Sequence, residues 1–364
     1  MNTSDSKRTW MRKTLKYAGI ALCAVVVIAG SYAGYLVYKA NHAINLMAGD
    51  GPNPSPSPSA SGSGAAGAQQ ADADYASDDT LIKKPVTFLL AGIDRREGSG
   101  GTLNTDVLML GSLNPQTKSA SLISLPRDLQ LKPQDLSSHK ANYYYAYFYN
   151  KDKDTAMQNT KEFYSDLFDF PIDYMITINF DGLRKLVDAV GGVDVDVDMD
   201  MRYVDNADGT NIDLKKGYQH LDGAKALDFV RYRKSNRGTE QSSDIARNAR
   251  QQQVLSQLTD KLATFQGMLQ WGKVLDLLGK NVQTDIPESI LRDYIYNVKE
   301  MKPSTLNVLP LESRWESPYI IVKEDDLEKA LNALRAEAGI KPTSDLKLAD
   351  VVGLDPSPDP DEAD

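Results

Sequence analysis

Val86-Thr-Phe-Leu-Leu-Ala-Gly-Ile93 is a continuous apolar run, short enough for a buried strand. Asp106-Val-Leu-Met-Leu-Gly-Ser-Leu113 and Ser119-Ala-Ser-Leu-Ile-Ser-Leu125 repeat the pattern, with the turn signal Asn114-Pro-Gln-Thr117 between them. An up-down-up meander of these runs brings Gly92-Ile93-Asp94, Asp106 and Pro126-Arg127-Asp128 to one edge. Further strands are expected at Tyr174–Phe180, Val193–Met201 and Ala226–Arg233, and helices at Thr160–Leu167, Phe180–Val190, Ser243–Phe265 and Asp325–Ala338. Strands and helices interspersed in this way read as an α/β or α+β arrangement of packed layers.

Ahead of this region, residues 17–38 read YAGIALCAVVVIAGSYAGYLVY, without a charge. At about 1.5 Å of rise per residue that length spans the roughly 30 Å hydrocarbon layer of a bilayer. Tyr32, Tyr35 and Tyr38 gather at its end, where amphipathic rings favour the headgroup region. No small-residue cleavage site follows, so a transmembrane signal-anchor is expected. Lys7, Arg8, Arg12, Lys13 and Lys16 precede the span and Lys39 alone follows closely, which puts residues 1–16 in the cytoplasm and the rest outside the cell membrane. Composition then divides the chain into a flexible Pro/Ser/Gly/Ala-rich linker at 39–80, an extracytoplasmic domain at 81–340, and a disordered acidic tail at 341–364. The net charge of −9 disfavours nucleic-acid binding, and the short cytoplasmic segment has no room for a DNA-binding domain. The single cysteine, Cys23, lies within the span, so the exported part relies on its core and not on disulfides.

The rim of the meander gathers Asp94, Arg95, Asp106, Arg127 and Asp128 near the loop Gly98-Ser-Gly-Gly-Thr102. Carboxylates beside a polar loop suit a hard cation such as Mg²⁺, and arginines suit phosphate oxygens. The plainer reading is that loop-end residues cap turns and pair at the surface. Strand alternation over 226–233 would put Phe229, Arg231 and Arg233 on one face, where two guanidiniums need an anion to meet them. On the following helix, Asp244, Arg247 and Gln251 align with Val254, Leu255, Leu258 and Leu262. A polar start to a core-facing stripe points either to a ligand or to an internal ion pair with Asp244. Val193-Asp-Val-Asp-Val-Asp-Met-Asp200 alternates as a strand with one wet face does, with calcium binding as the competing reading. His42, His139 and His220 show no zinc spacing. The aromatic run Asn142–Tyr149 is either core or the lining of an apolar groove.

Gly92-Ile-Asp-Arg95, Asn104-Thr-Asp106, Ser124-Leu-Pro-Arg-Asp128, Lys140-Ala-Asn142, Gly191-Gly-Val193, Leu221-Asp-Gly223, Ala226-Leu-Asp-Phe-Val-Arg-Tyr-Arg233 and Asp244…Arg247…Arg250-Gln-Gln252 occur in that order. In this order they resemble the LytR-CpsA-Psr family, with a motif core over 84–265. The resemblance implies a three-layer domain with a mixed central β-sheet flanked by helices and a deep apolar lipid-binding pocket. It also implies a membrane-anchored phosphotransferase that moves a glycopolymer from a polyprenyl-pyrophosphate carrier to peptidoglycan, assisted by Mg²⁺. Teichoic acid, capsule and other wall glycans all remain open as the polymer. By position, Asp94 and Asp106 would be the metal-associated carboxylates and, with Arg127, the catalytic set. Arg95, Arg127, Arg231, Arg233, Arg247 and Gln251 would hold the pyrophosphate and polymer head. Arg250 fits the motif but falls off the helical stripe. Asn104 stands where the family usually carries arginine, so one anion contact is missing or comes from elsewhere, such as Arg96. The alternative is a non-catalytic polyprenyl-phosphate-binding or scaffold protein of cell-wall assembly.

Overall fold

The computed structural model describes residues 32–48, 83–93, 103–205, 210–242, 244–263, 265–342 and 347–355. Most of the expected span, the Pro/Ser-rich stretch, the Gly-rich loop and the end of the tail lie outside the described residues, as do Asp94, Arg95 and Arg96. The elements begin with α1 (residues 32–48), β1 (Val86–Ile93), β2 (Thr105–Asn114), β3 (Ser119–Ser124), the short strands β4 (Gln130–Leu131) and β5 (His139–Lys140), α2 (Tyr144–Lys151) and α3 (Ala156–Phe168). They continue with β6 (Tyr174–Asn179), α4 (Phe180–Ala189), β7 (Val193–Val197), the antiparallel pair β8 (Met201–Asp205) and β9 (Thr210–Leu214), β10 (Gly217–Leu221) and α5 (Gly223–Arg231). Next come α6 (Asp244–Ala263), α7 (Phe265–Asn281), β11 (Val282–Thr284), α8 (Glu288–Tyr296), α9 (Val298–Met301) and β12 (Thr305–Leu309). The hairpin of β13 (Ser313–Glu316) and β14 (Tyr319–Lys323), α10 (Glu324–Ala338), α11 (Leu348–Val351) and β15 (Leu354–Asp355) complete the described chain.

The three opening runs form the expected meander at the centre of a six-stranded sheet, ordered β11-β6-β1-β2-β3-β12. β1–β2 and β2–β3 are antiparallel, whereas β6 joins β1 and β12 joins β3 in parallel, so the sheet is mixed. Alternation along these strands gives the sheet two apolar faces. One carries Leu89, Ala91, Leu108, Leu110, Ile123 and Met175, packed against Tyr144 and Tyr145 of α2, Tyr164 and Phe168 of α3, and Leu327, Leu331 and Leu334 of α10. The aromatic run therefore supplies core side chains at Tyr144 and Tyr145. The other face carries Phe88, Leu90, Val107, Met109, Leu122, Ile176, Ile178, Leu306 and Val308. Phe88, Leu90, Val107, Ile176, Ile178, Leu306 and Val308 on it are only half-buried.

Two expectations need correction. The segment 226–233 is not a strand. Asp222 accepts the Lys225 N–H at 2.8 Å as an N-cap, and α5 runs from Gly223. Ala226, Phe229 and Val230 are the buried positions, at i, i+3 and i+4, a helical spacing hidden inside the apparent alternation. Nor is the linker free from residue 39. Ala40, Ala43, Ile44 and Met47 form one buried stripe of α1 packed with Leu275, Val282, Ile286 and Leu291. Gly279 lets the helices approach, since a Cβ there would sit 3.0 Å from Ala43 Cα, and Lys39 Nζ lies 2.6 Å from Asp276. No helix among the described residues is long and apolar enough to cross a membrane; only residues 32–38 of the expected span are described.

Candidate active site

At the end of the meander where the third run turns into Arg127 and Asp128 lies a cleft of about 790 Å³. Asp106, Arg127, Arg231, Arg233, Arg247 and Gln251, which the sequence placed at the site, all line it. They arrive from four places: the start of β2, the segment after β3, the end of α5 and the first turns of α6. Asp106 reaches the cleft because of a bulge. Ile93 pairs with Thr105 and Gly92 with Val107, so Asp106 is an extra residue in β2. Thr105 stays buried while Asp106 joins Val107 in the cleft lining. An unbulged strand would have turned the carboxylate toward the sealed face with Leu108 and Leu110.

A charge network organises the floor. Arg127 Nη1 donates to Asp106 Oδ1 at 2.7 Å. Asp128, 5 % exposed, is met by Lys140 Nζ at 3.0 Å and Arg233 Nη1 at 3.4 Å. Burial alone would raise the Asp128 carboxyl; the hydrogen bond from Lys140 and the charges of Arg127 and Arg233 outweigh it and hold it below its ordinary value. Arg231 lies over the Phe180 ring, 5.0 Å from its centroid, which fixes the guanidinium at the cleft wall. On α6, Arg247 and Gln251 line the cleft and Val254 and Leu258 are buried one and two turns on, as the stripe predicts. Gln251 Oε1 is 3.5 Å from the Ser124 hydroxyl.

Arg250 behaves as its position off the stripe suggests. It is 1 % exposed, forked onto Asp198 with Nε–Oδ1 and Nη2–Oδ2 both 2.7 Å, and sandwiched near Phe229 and Tyr232. That is an internal brace and not a ligand contact. In the aspartate ladder of residues 194–200, three of the four carboxylates are likewise met by protein partners. Asp194 meets His220 and Lys261, Asp198 meets Arg250, and Asp200 meets Lys215. Among the described residues no group of three acidic, His or Cys side chains is arranged to hold a metal.

Sequence reasoning missed Asp228 and two hairpins of the cleft lining, β13–β14 and the β8–β9 pair with Tyr203, Asp205, Thr210 and Ile212. Asp228 lines the cleft from α5; burial pushes it up to about 6, against the charge of Arg231 and with a further rise from Asp222. Treating 226–233 as a strand put Asp228 on the face opposite the arginines, which hid it. The β13–β14 hairpin adds Glu312, Ser313, Arg314, Trp315 and Ile320, from beyond the motif core. An Arg-Trp pair in a polar segment was the only available signal.

A protein-family model described as the LytR_cpsA_psr family matches residues 59–336. The chain belongs to this family. Among its relatives, the polyisoprenyl-teichoic acid–peptidoglycan teichoic acid transferase TagU of Oceanobacillus iheyensis is 30 % identical over 68 % of this chain and 74 % of its own length. The enzyme of the same description called TagV, from Bacillus subtilis, is 31 % identical over 60 % of this chain, a match that spans 54 % of TagV. The crystal structure of B. subtilis TagV aligns with 71 % of this chain and 99 % of its own, with a TM-score of 0.54 and 28 % identity. The mixed sheet flanked by helices is thus the LytR_cpsA_psr fold, and relatives within the family are named as transferases.

Proposed function

We propose that this protein is a membrane-anchored phosphotransferase that moves a glycopolymer from a polyprenyl-pyrophosphate carrier to peptidoglycan outside the cytoplasm. One observation carries the reading. The cleft with Arg127, Arg231, Arg233 and Arg247 shares Val107 with the half-buried apolar sheet face, so a cationic site adjoins partly covered apolar surface. That combination fits an amphiphile with a phosphate head and a long hydrocarbon chain.

In the proposed reaction an acceptor sugar hydroxyl attacks the phosphorus nearest the polymer. The bridging P–O bond breaks, polyprenyl phosphate leaves, and the polymer becomes joined to the acceptor by a phosphodiester. The arginines orient the pyrophosphate and neutralise the charge that builds on its oxygens. Arg127 is itself positioned by Asp106, which keeps its guanidinium at the cleft floor. The acceptor proton passes to a carboxylate, with Asp106 in the cleft and Asp94 its partner by family resemblance. The donor set suits Mg²⁺, which takes one or two carboxylates together with substrate phosphate oxygens; Asp106 and Asp94 would hold it, and it would supply Lewis-acid charge at the pyrophosphate. Anchoring by residues 17–38 would place this site beside the bilayer that carries the donor.

The test is transfer of a polyprenyl-pyrophosphate-linked polymer to isolated peptidoglycan by the full-length protein in detergent. Wild type is expected to transfer with Mg²⁺ and to lose activity with chelator, and Arg127→Ala or Asp106→Ala to lose about 100-fold or more. Donor binding without transfer by wild type would select the scaffold reading instead.

A further inference from the structure

Trp315 sits at the mouth of the cleft and is 57 % exposed. An indole that open contributes little burial energy to the fold, so its position calls for another account. The hairpin that carries it is fixed to the site and does not hang free. Trp315 pairs with Ile320 across the hairpin, and the Ile320 N–H donates to the Asp128 carbonyl at 2.8 Å. Lys140, bonded to the Asp128 carboxylate, lies 5.6 Å from the indole centroid. The ring is therefore held from two directions at a set place relative to Asp128, Arg127 and Arg233. Glu312, ion-paired with Lys323, and Arg314, ion-paired with Glu316 and Asp355, line the same cleft as polar groups. An aromatic face with polar groups at its margin matches a pyranose, whose C–H face is apolar and whose rim carries hydroxyls.

We propose that Trp315 is the platform of a sugar-binding subsite that stacks a pyranose ring at the cleft mouth. The proposal rests on the phosphotransfer reading for its biological sense. Two substrates could present the ring: the first sugar of the lipid-linked donor, or the acceptor glycan of the wall. Trp315 is a binding residue in this account and takes no part in bond making.

The experiment measures binding to full-length protein in detergent micelles for wild type, Trp315→Ala and Trp315→Phe. The probes are an N-acetylglucosamine tetramer, bare polyprenyl pyrophosphate, and polyprenyl pyrophosphate carrying one N-acetylglucosamine. Trp315→Ala is expected to weaken a sugar-bearing probe by about tenfold, with Trp315→Phe recovering part of the loss and bare polyprenyl pyrophosphate unaffected. A loss confined to the tetramer assigns the subsite to the acceptor, and one confined to the sugar-bearing lipid assigns it to the donor. Unchanged affinity for both sugar probes overturns the proposal. Failure of wild type to bind bare polyprenyl pyrophosphate would strike the phosphotransfer reading instead, with the tetramer arm still reporting on Trp315.

Discussion

Leu89 and Leu90 are neighbours in β1 and point to opposite faces of the same sheet. Leu89 is fully buried in the cluster shared with α2, α3 and α10. Leu90 is half-buried, and it shares its face with Phe88, Val107 and Met109, none of which belongs to the packed clusters of the described residues. Both faces are equally apolar in sequence. What separates them is completion: one face meets side chains that fill it, and the other is left with apolar surface only partly covered beside a cationic cleft. A sealed face supplies stability, and in the function proposed above the partly covered face of the same chemistry would take an apolar chain.

Substitutions can break or sharpen this contrast. The largest effect is expected for Leu89→Ala, at about 3–4 kcal/mol of lost stability in urea unfolding, against about 1 kcal/mol for Leu90→Ala. Equal costs would erase the difference between the faces. Asp128→Ala, at the rim between them, removes the shared partner of Lys140, Arg127 and Arg233 and should cost about 3 kcal/mol in thermal or urea unfolding. Because its folded value is depressed, the stability contributed by Asp128 is present above its ordinary value and is lost as pH falls through the folded one. Asp228 behaves oppositely. Its carboxyl is raised to about 6, so the folded state holds the proton longer and stability falls as pH rises from the ordinary value toward 6. Asp228→Asn should therefore add about 1–2 kcal/mol at pH 7.5, after allowance for its partial exposure, and almost nothing at pH 4. The smallest change is Lys39→Ala, which removes the partly exposed pair with Asp276 and should lower the urea midpoint only slightly, leaving α1 docked through Ala40, Ala43, Ile44 and Met47. Protease protection of residues 39–48 checks that docking; rapid cleavage there in wild type would contradict it.

Local pattern made much of this legible. The apolar runs gave the meander, and the meander gave the rim at which Asp106 and Arg127 meet. The α6 stripe separated Arg247 and Gln251, in the cleft, from Arg250, in the interior. Three features escaped, two because they depend on tertiary context and one because two local patterns overlap. The bulge at Asp106 needs the register of two strands, which a single run does not encode. In 226–233 strand-like alternation and helical spacing coexist, and the Asp222 cap decides between them. The docking of α1 depends on Gly279 and Leu275, more than two hundred residues away along the chain.

The central claim is that the unfilled sheet face and the arginine cleft form one site for a lipid-linked pyrophosphate. It is tested most directly by photo-crosslinking the full-length protein with a polyprenyl phosphate carrying a diazirine near the end of its chain, followed by peptide mapping. The account predicts adducts on the face of Phe88, Leu90, Val107, Met109 and Val308, competed away by polyprenyl pyrophosphate. Adducts absent from that face, or no more frequent there than around Leu89, Leu108 and Leu110, would contradict it.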